Sequence, residues 1–300
     1  LKNLKTKLFA ELYRFIIFYI CLTFTAALFT SLRTIDKKYQ LADISTKESD
    51  LQAASEKNQF LSIYSDTFFL NFGKTSSGED TAKHILSRLE PTMILAFFAT
   101  LLGGGFAIWV ALLSAFWKKT WFTKFFIYLS SIILSTPIFV VAVFLFLLFF
   151  LFIPILPPGG YERGNLFYLI LPGFSLGSRV FARIFFYAQS EIQLEIGSPF
   201  VLSLLARGFP RSKIIFRYVF FKVFPLLSIF ILLDLSSLLS GAMIVEEIFF
   251  YPGIGKSMFT AIKLMDENLL RALLIYSGTI FYILTRFSRV LQSELTGTES

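Results

Sequence analysis

Six stretches of the chain are continuously apolar over the length a bilayer demands: 12–32, 92–116, 124–153, 166–188, 219–245 and 269–290. At about 1.5 Å of rise per residue, roughly 20 apolar residues carry a helix across the hydrocarbon core. Apolar and polar residues do not alternate within these runs, which excludes the strands of a membrane barrel. The helix remains as the spanning structure that satisfies its own backbone in lipid. The pattern therefore predicts an all-α polytopic membrane protein with six transmembrane helices. Lys2, Lys5 and Lys7 ahead of Phe15 to Phe29 resemble the start of a signal peptide. The apolar run is too long for one and no A-x-A site follows it, so it reads as an uncleaved first span.

The segments between the runs set the organisation. Residues 1–32 form an N-terminus and first span, 33–91 a polar external loop with some local structure, 92–290 a five-helix core, and 291–300 a tail. Within the core, 189–218 is a basic loop. Shorter connections lie at Pro154 to Asn165, with a Pro157-Pro158-Gly159-Gly160 turn, and at Glu246 to Asn268. Lys2, Lys5, Lys7 and Arg14, then Lys118, Lys119 and Lys124, then Arg207, Arg211, Lys213 and Arg217, and finally Arg286 and Arg289 all flank one side of the spans. Short basic loops stay in the cytoplasm, so both termini are expected there, as an even number of crossings requires.

Composition agrees with lipid as the solvent. Apolar residues make up 55%, charged residues 16%, and Phe alone accounts for 39 of 300 positions. Lys and Arg outnumber Asp and Glu by 28 to 20, but the bases flank apolar runs instead of forming one face, so no nucleic-acid partner is expected. Cys21 is the single cysteine and His84 the single histidine. No internal disulfide, metal site or nucleophile–base–orienter set is expected from so few groups. Gly255-Lys256-Ser257 resembles the end of a phosphate loop, but position 250, where the first glycine belongs, is Phe250.

Charges inside a span are expensive and mark candidate function. Asp234 lies mid-way along the fifth run beside Ser236, Ser237 and Ser240, and Arg179 lies inside the fourth. Arg179 and Asp234 are expected to pair, either to line and gate a path with Ser237 or as a buried structural ion pair. Arg183, nearer the span end, is expected to snorkel to the interface. Pro137 and Pro225 interrupt the third and fifth runs, either lining a pore or as packing irregularities. Gly103-Gly104-Gly105 would admit a close neighbouring helix.

The basic loop holds a short apolar helix, Ser198 to Ala206, closed at Gly208 and followed by Phe209-Pro210-Arg211-Ser212-Lys213. Phe200, Leu204 and Leu205 have no reason to face water unless a partner groove takes them. Leu202 to Phe209, with Ala206, Arg207 and Gly208 in the characteristic places, resembles the coupling loop of ABC-importer permeases. The likeness is to the dipeptide and oligopeptide permease family, whose stretch runs like R-T-A-R-A-K-G-L. Gly241 to Gly255, reading G-A-M-I-V-E-E-I-F-F-Y-P-G-I-G, resembles a second block of the same family. Weaker echoes are Leu70-Asn71-Phe72-Gly73, Ser135 to Phe139 and Leu169 to Pro172, so the similarity covers about 68 to 290. Leu202, Leu204 and Leu205 depart from the smaller or charged residues usual in relatives, and Asp234 from a neutral polar one.

The resemblance implies a type I importer permease in a bacterial inner membrane. It implies a second, homologous permease subunit, two cytoplasmic ATPase subunits that bind the ATP and Mg, and an extracytoplasmic substrate-binding protein, with no cofactor in this chain. Leu204, Leu205, Ala206, Arg207 and Gly208 would couple to the ATPase. Asp234, Arg179, Ser237 and Pro137 would line the translocation path. Glu246, Pro252, Gly253 and Gly255 would form an external lid or a contact for the binding protein. The competing reading is an ion-coupled secondary transporter using Asp234, which leaves the apolar helix before Gly208 without a role.

Overall fold

The computed structural model describes residues 2–42, 60–117, 120–240 and 242–296. Lys118 and Lys119 of the second basic loop, Gly241 of the second block, residues 43–59 of the 33–91 loop and the end of the tail lie outside them. Among the described residues the chain is helical, with one isolated bridge between Lys74 and Asp80 in place of any strand. Among the described residues five helices are long and apolar enough to cross a membrane: Glu11–Leu32, Thr81–Trp117, Phe167–Ile196, Arg211–Leu239 and Glu267–Gln292. A bent pair, Thr120–Ser135 with Ile138–Phe152, meets the same criterion only when its two halves are taken together, which brings the total to six if the pair is one span.

The chain divides into two compact units. The first comprises Leu1–Arg88 and Ser257–Thr279. Two of its helix starts are set by carboxylates. Asp80 Oδ1 accepts the Lys83 N–H at 3.1 Å, which starts helix Thr81–Trp117 well ahead of the expected 92. Charged residues from Lys83 to Glu90 read as loop in the sequence, but an N-cap overrides that polarity. Asp266 does the same for helix Glu267–Thr296: its Oδ1 accepts the Leu269 N–H at 3.0 Å and its Oδ2 the Ser76 N–H at 2.6 Å. Residues 60–68 are also helical and lie against the first span, where Tyr19 Oη donates to the Phe68 carbonyl at 2.9 Å. Arg271 donates to Asn268 Oδ1 at 2.6 Å and to the Ile63 carbonyl at 3.3 Å.

The second unit comprises Leu89–Lys256 and Ile280–Ser300. Helix Phe167–Ile196 runs through its middle, and the buried residues Val180, Phe181, Ile184, Phe185 and Ala188 build the largest core cluster with Ala107, Val110 and Ala111. Two glycines permit this packing. A Cβ at Gly103 would overlap the backbone of Gly177, so these helices cross with main chain against main chain. A Cβ at Gly104 would meet the Ile231 side chain at 3.5 Å, whereas one at Gly105 would stand in open space.

The third run is not one straight helix. Its two halves meet at 99°, because Pro137 takes an extended backbone (φ −58°, ψ 139°) and cannot supply the N–H that would continue the first half. The fifth span ends at Leu239, not 245. Met243–Ile248 is a separate short helix, entered through Ala242 at φ −83°, ψ 55°. The residues on both sides of this break are apolar, so hydropathy alone extends the run through it.

Candidate functional site

The short helix of the basic loop forms as Pro199–Ala206. Ser198 caps its start, accepting the Val201 N–H at 3.3 Å, with Pro199 in the first-turn position that suits proline. At its end the Phe209 N–H reaches the Leu204 carbonyl at 3.2 Å and the Gly208 N–H the Leu205 carbonyl at 3.0 Å. This is the paired closure of a Schellman cap, and Gly208 takes the left-handed φ of +79° that it requires. Lys222 Nζ and Ser198 Oγ both bond Glu195 Oε1, at 2.7 and 2.8 Å, and Arg211 Nη2 donates to the Ala115 carbonyl at 2.6 Å.

The helix has two faces that composition could not separate, since both are apolar. Val201 and Leu204 point inward and join the core cluster with Ile214, Ile215 and Val219. Leu204, expected to couple to a partner, is 7% exposed and is an anchor instead: its place one turn after Val201 puts it on the buried face. Phe200 at 47%, Leu202 at 56% and Leu205 at 49% face outward, next to exposed Ala206, Arg207 and Gly208. Phe200 and Leu202 thus belong to the exposed apolar face.

A second feature is a cleft of about 340 Å³ lined by Arg179, Arg183, Asp234 and Ser237 together with apolar residues that include Ile138 and Leu176. The expected partner of Asp234 is corrected. Arg183 Nη1 donates to Asp234 Oδ1, and Arg183 does not snorkel away. Arg179, one helical turn earlier on the same face, lines the cleft. Asp234 is 3% exposed, and its Oδ2 has no hydrogen-bond partner. Pro137 does not line the cleft. It bends the chain so that Ile138 does.

Glu246, expected in an external lid, does not face solvent. It is fully buried, and its carboxylate organises the chain around it. Oε1 accepts the Thr92 hydroxyl at 3.1 Å and Oε2 the Lys256 N–H at 2.9 Å, while Ile254 N–H donates to Thr92 Oγ1 at 2.8 Å. The carboxylate therefore sits at the amino end of helix Ile254–Lys263, where the free N–H groups and the helix dipole favour an acceptor. Gly253 is obligatory beside it, because a Cβ there would overlap the Glu246 carboxylate, and one at Gly255 would overlap the Met243 backbone. Pro252 is half-buried between them. Burial pushes the Glu246 carboxyl up to about 7, opposed by the Lys256 N–H, the Thr92 hydroxyl and the Gly255 N–H. Tyr251, whose hydroxyl donates to the Pro91 carbonyl at 3.2 Å, has its phenol pushed up by the same burial.

The first unit holds one arrangement that no sequence motif announces. His84 Nδ1 lies 2.9 Å from Glu79 Oε2 and His84 Nε2 lies 3.1 Å from Ser257 Oγ. The order carboxylate, imidazole, hydroxyl is that of a hydrolytic relay. Ser257 is only 6% exposed, however, which leaves an acyl group no approach, and the trio ties the start of helix Thr81–Trp117 to Ser257 of helix Ile254–Lys263. These residues are 173 positions apart, beyond the reach of any spacing motif.

Residues 103–295 match the family described as binding-protein-dependent transport system inner membrane component. The match takes in the 199–206 helix, the cleft and Glu246. The chain is 24% identical over 242 residues to the dipeptide transport system permease protein of Alkalihalophilus pseudofirmus, covering 72% of this chain and 71% of the relative. It is 25% identical over 215 residues to an oligopeptide transport system permease protein of Bacillus subtilis, covering 69% and 68%. Over 145 residues, 48% of this chain and 47% of the relative, it is 30% identical to the oligopeptide transport system permease protein of Salmonella typhimurium.

Proposed function

Because the chain belongs to the binding-protein-dependent transport system inner membrane component family, we propose that it is the transmembrane subunit of an ATP-driven importer and forms half of a translocation path for di- or oligopeptides. The observation that carries this reading is the two-faced helix Pro199–Ala206. Its inner face is locked into the core and its outer face offers Phe200, Leu202 and Leu205 to solvent. Rigid attachment on one side and an unpartnered apolar face on the other is what a lever needs to pass a motor's motion to the spans. A flexible polar loop would dissipate it.

The motor is a pair of separate ATPase subunits that bind ATP and Mg. The helix lies on the cytoplasmic side, with both termini, in the inner membrane of a bacterium. A second, homologous permease supplies the other half of the path, and an extracytoplasmic binding protein delivers the peptide. The peptide cargo is carried over from the names of the relatives. Pro252, Gly253 and Gly255, held around Glu246, form a structural lid on the external side.

Reconstitution of the four components in proteoliposomes tests this. Uptake of labelled di- and oligopeptides is expected to require both the binding protein and ATP hydrolysis. Uptake driven by a proton or sodium gradient without nucleotide would replace it with the ion-coupled reading.

A further inference from the structure

The cleft along the fifth span holds three polar groups without a hydrogen-bond partner among the described residues: the Arg179 guanidinium, the Ser237 hydroxyl and Asp234 Oδ2. Arg183 is occupied by the other oxygen of Asp234. Two guanidiniums against one carboxylate leave the cleft one positive charge in excess. The rest of the lining, Leu176, Val180, Leu238 and Ile138 among it, is apolar. Arg179 and Arg183 share the single charge of Asp234, so one positive charge in the cleft is left uncompensated, which is costly inside a span, and a buried acceptor with nothing to accept adds to that cost. Both costs are relieved together by one kind of ligand: a carboxylate for Arg179, an N–H for Asp234 Oδ2 in the same cleft, and an apolar side chain for the walls.

The last residue of a peptide carries those three groups on a single α-carbon. We propose that this cleft binds the C-terminal carboxylate end of the cargo peptide, with Arg179 as the carboxylate receptor and Asp234 Oδ2 accepting the terminal amide N–H. Guanidinium and carboxylate match in bidentate geometry. The opposite orientation, with the peptide's ammonium group in the cleft, meets the excess positive charge and is disfavoured. The volume of about 340 Å³ lies at the low end for small-molecule sites and suits the terminal residue or a dipeptide, not a long chain. Arg183 is a positioning residue, holding Asp234 so that Oδ2 faces the ligand.

This inference rests on the peptide-importer reading, and its test separates the two. The complete importer is reconstituted with saturating, fully loaded binding protein, so that delivery is equal for each cargo. Initial uptake is compared for alanyl-phenylalanine and for its C-terminal amide. The wild type is expected to prefer the free acid by about tenfold or more, the scale of one charge-assisted hydrogen-bonded contact. Arg179→Gln is expected to abolish that preference and Arg179→Lys to restore part of it. The acid-to-amide ratio is internal to each variant, so a change in the amount of assembled complex cancels. A wild type that imports both forms, with a ratio unchanged in Arg179→Gln, overturns the carboxylate site and leaves the importer reading standing. A wild type that imports neither form overturns both.

Discussion

Leu205→Glu is expected to reduce nucleotide-driven uptake by more than about a hundredfold while leaving the thermal midpoint of the detergent-solubilised protein within about 2 °C of wild type. Leu205 is half exposed, so a carboxylate there costs the free subunit little. Docked against an apolar groove it must lose its water without gaining a partner, at a cost of several kcal/mol, which is at least a hundredfold in occupancy. Leu204→Ala is expected to give the reverse. Leu204 is packed in the core cluster with Val201 and Val219, and removing it costs about 2–5 kcal/mol of stability. It leaves the outer face chemically unchanged. Uptake at a permissive temperature is then expected to fall only as far as the amount of folded protein falls. If Leu205→Glu transported at the wild-type rate, that face would have no partner to lose.

The second large effect is expected at Glu246. Replacing it by Ala strands the Lys256 N–H, the Gly255 N–H and the Thr92 hydroxyl inside the protein, and the expected loss is about 3–5 kcal/mol. Its pH dependence has a definite sign. Burial raises the folded carboxyl from 4.5 to about 7, so between those values the folded state holds a proton that the unfolded state has released. The stabilisation linked to that proton is complete below about pH 4.5 and is lost as pH rises through about 7, by about 3 kcal/mol in all. Glu246→Gln keeps one acceptor and cannot ionise. The difference in thermal midpoint between wild type and Glu246→Gln is therefore expected to shift against the wild type from pH 5 to pH 8 and to stay constant above. A difference independent of pH would mean that the carboxylate is ionised throughout.

What could be read in the sequence follows from which forces are local. Hydropathy located the spans because lipid imposes one requirement on every residue of a run. Gly208 was legible because a left-handed closure leaves few alternatives to glycine. The inward turn of Leu204 was not, because Pro199–Ala206 is apolar on both faces and carries no polar stripe to give its orientation. The break after Leu239 was hidden by apolar residues on both sides of it. Arg179 and Arg183 are one turn apart on a single helix, and only the packing of that helix against the fifth span selects Arg183 as the partner of Asp234. The burial of Glu246 was not legible either, because charge in a loop usually faces water. Thr92 and Lys256, which make its burial tolerable, lie 154 and 10 residues away. The bend at Pro137 was marked by its proline, while its size of 99° depends on what packs after it.

The exposed face of the 199–206 helix can be probed directly. Cys21 is the sole cysteine and is exposed, so Cys21→Ser gives a background in which Leu205→Cys is the one thiol. In the assembled importer that thiol is expected to cross-link to the ATPase subunit, with a yield that changes between nucleotide-free and ATP-bound states. Labelling of the same thiol in intact cells by a membrane-impermeant reagent, with no cross-link to the ATPase in either state, would contradict the account.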